Sequence, residues 1–422
     1  MSVIRPKPPE DPIAYEPPAV LAPGGVSAST LDAFAERMEQ ARSVVLATAE
    51  SNIPERLLDA YNTGGGRAGS QLFAILQAAR RIRDRVDRVI VLEDGFGGLA
   101  ARAIFESCAH PCHNELSRGE RGGRPRLVFL GPDLDNDVLQ GLLDVVSPAG
   151  KPRGSDLLDQ WALVVASECG SSAEAAAATR LLLTALSESV GDDRLELAHR
   201  VVPITGQSCG LADLATALAC TSVFTFTTDR GARVTAFTPL GLLPAALVGI
   251  DVVRLLQGAA AMNRRFREAQ VSENPVLLFA GVSRLMAEQG GLVRVLASRS
   301  SQLAAVCRWH ERLTRHQAAP LTTHLVVREP RREPLIVPAL AGCQGNEDGL
   351  DHLMGTSLLD LLVVARTSAT QATEPTDTIV MPRVDEHSIG QLIQFFVLTK
   401  LVERRMECPS DERPSAQIAG GR

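Results

Sequence analysis

Ala162-Leu163-Val164-Val165-Ala166-Ser167-Glu168-Cys169-Gly170-Ser171-Ser172-Ala173-Glu174 passes from an unbroken apolar run into small, hydroxyl-bearing residues and then into helix formers. A short apolar run without polar alternation is expected of a strand buried on both faces. The turn after it leads into a helix that starts at about Ser172. Free backbone N–H groups at such a start, with hydroxyl donors beside them, make a seat for an anion. The same residues also fit a simpler description, a helix N-cap with Glu174 in the first turn. Both descriptions stand on this stretch alone.

Outward from it the pattern repeats. Val89–Leu92, Leu127–Leu130, Val201–Ile204 and Val223–Phe226 are further candidate strands, with helical stretches near 98–107, 136–146, 172–188 and 210–219 between them. Continuous apolar strands separated by helices predict βαβ units and a parallel sheet covered on both faces. After the apolar stretch Leu240–Ile250 the alternation restarts. Helices near 251–268, 274–289 and 301–315 surround a strand at Leu292–Ala297. Strands follow at His324–Val327, Leu335–Pro338 and Leu358–Val364, then a helix at about 388–405. Towards the N-terminus, Leu31, Phe34, Met38 and Ala41 recur at helical spacing within 29–50. The glycine-rich break Asn62–Arg67 precedes a second helix at 70–84, and residues 6–25 read as an extended, proline-rich arm. The expected organisation is an arm and N-terminal helix over 1–60, one α/β unit over 61–250, a second over 251–405, and a polar tail over 406–422.

Composition excludes several classes. The chain has 422 residues, 45% hydrophobic and 22% charged, enough for two or three packed domains. Net charge is −6 and no basic run occurs, so no nucleic-acid partner is expected. Lysine is confined to Lys7, Lys151 and Lys400. No segment reaches the roughly 18 apolar residues of a membrane span, so no membrane partner is expected. Met1 to Pro23 lacks the layout of a signal peptide, and the expectation is a soluble cytoplasmic protein. The eight cysteines are scattered, as reduced thiols are in such a chain. Cys108, His110, Cys112 and His113 cluster, but no second ligand pair follows at zinc-finger spacing, so no metal is expected.

Two further stretches carry chemistry. In Leu92-Glu93-Asp94-Gly95-Phe96-Gly97-Gly98-Leu99 the glycines let a ligand approach the backbone, while the two acids would repel a phosphate. The other is Asp229-Arg230-Gly231-Ala232-Arg233, continuing to Thr238-Pro239-Leu240-Gly241-Leu242-Leu243-Pro244-Ala245-Ala246-Leu247-Val248-Gly249-Ile250-Asp251. This run resembles the phosphoglucose isomerases, in which a Gly-Gly-Arg turn precedes an apolar helix and a Gly-Ile-Asp ending. The hydroxyl-rich loop then falls where the family has its Ser-Lys-x-Gly-Thr-Thr-x-Glu phosphate loop, and the turn at 95–98 where it has Gly-Gly-Ser. His110-Pro111-Cys112-His113-Asn114-Glu115-Leu116 is similar to the family's His-Pro-Tyr-His-Asn-Glu-Leu, which accounts for the cysteine–histidine cluster without a metal. Asn274-Pro275, Arg294-Val295-Leu296, Trp309 and Gln391-Leu392-Ile393-Gln394-Phe395-Phe396 fit the second unit. The resemblance covers roughly residues 85 to 402. It implies two SIS-type doubly wound subdomains, each a parallel sheet flanked by helices, and a homodimer.

Aldose–ketose isomerisation needs a base to move the proton between C2 and C1, a cation to stabilise the enediolate, and an acid–base pair to open the ring. The resemblance places Arg233 on the family's arginine, as oxyanion stabiliser or as a structural arginine. The family's glutamine and catalytic glutamate, counted from Trp309, fall on Arg312 and His316. His316 is either a substitute base or a surface helix residue. In Cys343-Gln344-Gly345-Asn346-Glu347 the ring-opening histidine is replaced by Asn346, which transfers no proton at neutral pH, with His352 nearby. The family's C-terminal lysine has no counterpart; Lys400 reads as a helix-face residue. In the phosphate loop Glu168 takes the lysine position, and Cys169 and Ala175 take hydroxyl positions. Ser167, Gly170, Ser171 and Ser172, with Gly95 and Gly97 of the glycine turn, remain as the phosphate-binding set. At an effective dielectric of about 20, like unit charges ~4 Å apart repel by ~4 kcal/mol, so Glu168 weakens that set.

Loss of several cooperating groups together opposes turnover. The expectation is a divergent homologue that binds a sugar phosphate with weak or lost isomerase activity. It would use no cofactor and pair with itself or with an active paralogue. The alternative is an active enzyme interconverting glucose 6-phosphate and fructose 6-phosphate with a substituted base.

Overall fold

Trp161–Ser167 is buried at every one of its seven positions, because a strand and a helical layer lie against it on each side. The structure, a computed structural model, describes residues 11–17, 28–63, 67–93, 97–131, 135–147, 156–167, 173–191, 193–206, 209–225, 236–288, 293–313, 320–329, 335–336, 356–357 and 376–407. The first half runs β1 (Ala14–Glu16), α1 (Ala28–Ala33), α2 (Ala35–Leu46), α3 (Ile53–Asn62), α4 (Gln71–Arg83), β2 (Arg88–Glu93), α5 (Gly97–Cys108) and β3 (Arg126–Leu130). It continues α6 (Asn136–Val146), β4 (Trp161–Ser167), α7 (Ala173–Ser189), α8 (Arg194–Arg200), β5 (Val201–Thr205), α9 (Gly210–Ala217) and β6 (Phe224–Thr225). The second half runs α10 (Pro239–Leu247), α11 (Val252–Glu268), α12 (Pro275–Glu288), β7 (Val293–Ser298), α13 (Ala304–Leu313), β8 (Pro320–Val327), β9 (Thr376–Met381) and α14 (Glu386–Glu407).

The first sheet has the order β3-β2-β4-β5-β6 and is parallel throughout. Side chains alternate across it with period two. Val89, Val91, Ala162, Val164 and Ala166 enter a core shared with α4, α5 and α10. Ile90, Leu92, Leu163 and Val165 enter the opposite core, with α6 and α7. After β2 the chain therefore passes over one face through α5, and after β4 over the other through α7. Moves in opposite directions along a sheet require opposite faces if every crossover is right-handed. Just before β2, buried Asp87 receives Arg118, Arg121 and Arg126. The His-Pro-Cys-His-Asn stretch serves the outer strand β3. Asn114 exchanges two hydrogen bonds with the Leu127 backbone (2.8 and 3.0 Å), and the His113 ring meets the Pro125 carbonyl at 3.0 Å.

The second sheet has the order β1-β9-β8-β7. Strands β7, β8 and β9 are parallel, as expected, but β1 joins β9 antiparallel, with Tyr15 opposite Ile379. A sheet edge offers unpaired backbone groups, and this piece of the arm satisfies them. Beneath it lies a buried polar knot. Arg294 donates to the Ser283 hydroxyl (3.0 and 3.2 Å), to the Thr323 hydroxyl (2.7 Å) and to Asp377, with its guanidinium 3.7 Å from the Phe279 ring centre. The Tyr15 hydroxyl donates to the same Asp377 carboxylate at 2.6 Å. Burial pushes that hydroxyl well above the usual tyrosine range. Removing one member would strand the others without water, which makes the knot all-or-none.

Between the sheets, the nine residues of α10 are all buried, packed against α4 and α5. Its Gly-Ile-Asp ending does two jobs. Gly249 (φ +78°) ends α10 in a left-handed turn, with the Gly249 and Ile250 N–H groups donating to Ala246 and Ala245 at 3.0 Å. Asp251 then caps α11, accepting the Arg254 N–H at 3.0 Å. Helices α11 and α14 cross at backbone contact: a Cβ on Gly258 would lie 1.9 Å from the His387 carbonyl, and one on Gly390 1.9 Å from the Leu255 carbonyl. From α14, Gln394 holds Ser51 and Asn263, and Gln391 holds Asp11 and Ile13 of the arm.

Three differences from the sequence reading follow from local chemistry. The helix expected over 29–50 is broken by a turn at Phe34 and stops at Leu46, where the hydroxyls of Thr48 and Ser51 bond back to main-chain carbonyls. Helices α3 and α8 and strand β9 are additions to the expected set of elements. The strands expected at Leu335–Pro338 and Leu358–Val364 lie outside the described residues, apart from 335–336; Ile336 forms an isolated antiparallel bridge with Ser357. Among the described residues no helix is long and apolar enough to cross a membrane.

Gly258→Ala should lower the free energy of urea unfolding by about 2–3 kcal/mol, since backbone must move to admit the methyl. Gly141→Ala on α6, where a Cβ meets nothing within 4 Å, should instead raise it by up to about 1 kcal/mol. Equal effects at the two sites would refute the backbone-contact account.

Candidate functional site

Strands β2 and β4 are neighbours in the first sheet, with Glu93 opposite Ala166. The helices that follow these strands lie on opposite faces of the sheet, α5 with one core and α7 with the other. Such a switch point is where open α/β sheets take ligands. The crest is formed by the last residue of each strand: Glu93 on β2, Ser167 on β4 and Thr205 on β5. All three are buried.

Glu93 is the unusual member. Its side chain continues the parity of Val89 and Val91, towards α5, and is 6% exposed. The carboxyl lies over the first turn of α5, where it accepts the Gly98 N–H; a Cβ at Gly98 would sit 1.8 Å from the carboxyl carbon. Among the described residues its Oε2 has no hydrogen-bond partner. Burial pushes the group up to about 8, against the opposing pull of the Gly98 N–H and of Arg102. At neutral pH it is therefore a neutral acid, able to donate as well as accept.

Next to β5, half-buried Cys209 precedes α9, with its sulfur 2.7 Å from the Thr205 hydroxyl. Burial would raise this thiol, but Thr205 and the N–H groups of Ala212, Leu211 and Gly206 outweigh it and hold it below the usual thiol value. On the α7 side of the crest a cavity of about 450 Å³ opens between α7 and α9, walled by Leu92, Ser167, Ala175, Leu211 and Leu214 with Arg180 and Asp213 among its polar groups. That volume falls within the range of small-molecule sites.

Of the residues anticipated from sequence, Ser167 ends β4 and Gly97 opens α5, so the two lie on the units that flank the switch point. Gly95, Gly170, Ser171, Ser172, Arg233, His316 and Asn346 lie outside the described residues, as do Glu168, Cys169 and His352. Arg312 is exposed on the last turn of α13, and Lys400 pairs with Glu403 along α14, a helix-face role. In the sequence Glu93 reads only as an obstacle to phosphate. The signal that could have found it is its parity in the run 88–93, which turns it inward with Val89 and Val91. Cys209 carries a weaker one, a cysteine at a helix start after a strand.

No protein-family model matches the chain. In fold it is similar to a hypothetical protein from Thermus thermophilus (TM-score 0.72, 18% identity, 93% of each chain). It is also similar to a glucose-6-phosphate isomerase from Chlamydia trachomatis (TM-score 0.64, 16% identity, 90% of this chain and 82% of that one). Over 355 residues it is 29% identical to the glucose-6-phosphate isomerase of Symbiobacterium thermophilum, covering 76% of each. Over 356 residues it is 25% identical to that of Bacillus cytotoxicus, covering 77% of this chain and 76% of the relative. Fold and sequence similarity together support a sugar-phosphate isomerase-like α/β protein. Within that class its sequence is similar to glucose-6-phosphate isomerases, at 25–29% identity over about three quarters of the chain.

The Glu93 value has a thermodynamic consequence. The folded protein keeps this proton up to about pH 8, while the unfolded chain releases it near the ordinary 4.5. Between those values unfolding releases a proton, so a rise in pH destabilises the fold. Glu93→Gln removes that loss. Relative to the parent, the variant should be unchanged near pH 4, gain stability as pH rises, and level off above pH 8 with a gain on the order of 5 kcal/mol. Thermal unfolding at stepped pH measures this, and a difference that is constant with pH would contradict it.

Proposed function

We propose that this protein binds a hexose 6-phosphate across the carboxyl ends of β2 and β4, with aldose–ketose isomerase activity that is weak or lost. The observation that carries the reading is the switch point at which β2 and β4 end side by side in Glu93 and Ser167, in a chain similar to the glucose-6-phosphate isomerases. In this reading the phosphate is held by Ser167, Gly170, Ser171 and Ser172 on the β4 side, and by the amides of Gly95 and Gly97 on the β2 side. Arg233 supplies the cation. The weakness follows from the replacements His316, Asn346 and Glu168 at positions where the family uses a carboxylate base, a ring-opening histidine and a lysine. The protein uses no cofactor, works in the cytoplasm, and pairs with itself or with an active paralogue.

A coupled assay for fructose 6-phosphate conversion should give a rate close to that of buffer, while glucose 6-phosphate and fructose 6-phosphate raise the unfolding temperature. Ser172→Asp should abolish the rise. The same ligands should slow alkylation of Cys209 but not of exposed Cys112. Turnover that disappears in Arg233→Ala would instead establish an active isomerase, and the absence of any thermal shift or protection would reject the sugar-phosphate site.

A further inference from the structure

We propose that the amino end of the first sheet carries an anion site of its own, in which Arg83 and Arg124, with Arg80 beside them, hold a compact diphosphate, either inorganic pyrophosphate or the diphosphate of a nucleoside. The site lies at the other end of the strands from the switch point and is independent of the sugar-phosphate reading.

Two separate segments bring positive charge to this end. Residues 80–88 and 118–126 carry nine arginines against Asp84, Asp87 and Glu120, in a chain whose net charge is −6. The acids do not balance them. Asp87 is already shared by Arg118, Arg121 and Arg126. Arg85 pairs with Glu196, and the Glu120 carboxylate accepts the Ser117 hydroxyl and N–H. Arg81 reaches the Ser222 hydroxyl. Among the described residues Arg80, Arg83, Arg88 and Arg124 have no ion pair. Arg88 stands opposite Arg126 in the sheet, while the other three gather about the end of α4.

The three are held in place. Arg80 and Arg83 are three apart in the last turn of α4, so their side chains leave the same face. Arg124 comes from the loop before β3, and its guanidinium rests on the end of α10: a Cβ on Gly249 would lie 2.0 Å from its Nε. The same loop grips the end of α4, because Arg118 donates to the Arg83 and Val86 carbonyls at 2.7 and 2.8 Å. Arg83 and Arg124 are half-buried and Arg80 is exposed, so all three are reached from solvent. Arg83 is held below the usual arginine range, first by burial and then by the charge of Arg124, with Asp84 opposing and Arg80 adding to it. Asp251, two residues beyond Gly249, caps α11. Basic residues at a helix C-terminus complement its dipole, which accounts for Arg80 and Arg83. It does not account for a third guanidinium brought against them from another segment. An anion placed among like charges turns their repulsion into attraction. Guanidinium forks match phosphate oxygens in pairs; one phosphate serves two arginines, and two linked phosphates serve three. A nucleic acid or an acidic peptide would run on to the acidic remainder of the chain, which favours a short ligand.

Isothermal titration of the full chain with inorganic pyrophosphate, ADP and inorganic phosphate tests this. Pyrophosphate should bind once per chain, about tenfold more tightly than phosphate. Binding of ADP equal to that of pyrophosphate identifies a nucleoside diphosphate, and weaker binding the inorganic anion. Arg83→Gln combined with Arg124→Gln should weaken pyrophosphate by about tenfold or more. Arg80 is exposed, so Arg80→Gln reads binding without disturbing the fold, and should weaken it by roughly two- to fivefold. Arg404→Gln combined with Arg405→Gln removes the same charge from exposed positions of α14 and should change nothing. Ser172→Asp, aimed at the sugar-phosphate site, should leave pyrophosphate binding intact. A parent that does not bind pyrophosphate overturns the proposal, as does an Arg80→Gln variant that binds it like the parent. So does an equal loss in the α14 variant, or a loss in Ser172→Asp. A polyglutamate peptide or a single-stranded oligonucleotide that binds more tightly than pyrophosphate in the same salt would refute the compact ligand.

Discussion

Two neighbouring parallel strands that send their chains to opposite faces cannot be bridged by either connection, and this constraint organises the first half of the molecule. Because β2 returns through α5 and β4 through α7, the two cores receive alternate residues of the same strands. The carboxyl ends of β2 and β4, Glu93 and Ser167, lie side by side between the faces that carry α5 and α7. Strand ends at such a point are where open α/β sheets take ligands.

Charge is distributed unevenly along the strands. At the amino end of the first sheet Asp87 gathers three arginines, and near the amino ends of β7 and β9 Arg294 is joined to Asp377, Thr323, Ser283 and Tyr15. These ion pairs and hydrogen bonds tie neighbouring strands together. The carboxyl end of the first sheet is built differently: a neutral acid with a free oxygen, a serine, and a threonine against a depressed thiol. Buried polar groups that do not satisfy one another are costly, and in a stable fold they concentrate where something else completes them.

Much of this was legible in the residues, for identifiable reasons. Strands β2, β3, β4 and β5 are apolar runs because they are covered on both faces, and covered strands have no polar side to confuse the pattern. Strand β9 escapes such a reading because it opens Thr-Asp-Thr; Asp377 is buried as the partner of Arg294, and an ion pair inside a sheet looks like a surface in sequence. Strand β1 is three residues of an arm whose pairing is decided by a sheet edge hundreds of residues away. At the site, Ser167 could be read from its place at the end of a strand. The meaning of Glu93 could not, since its charge state depends on what surrounds it: the same carboxyl in water would repel a phosphate, and enclosed by apolar neighbours it does not.

The pairing of Tyr15 with Asp377 spans 362 positions of the chain. The edge of the second sheet is thus completed by a segment that must wait for nearly everything else to be in place, because β9 itself comes late in the order of elements. Contacts of such separation are slow to form, since the long loop they close must first lose its freedom. Until the arm returns, one flank of β9 is an open template for another strand, a hazard during folding. In the finished molecule the early part of the chain thereby serves as a shield, protecting the sheet against association with its own kind.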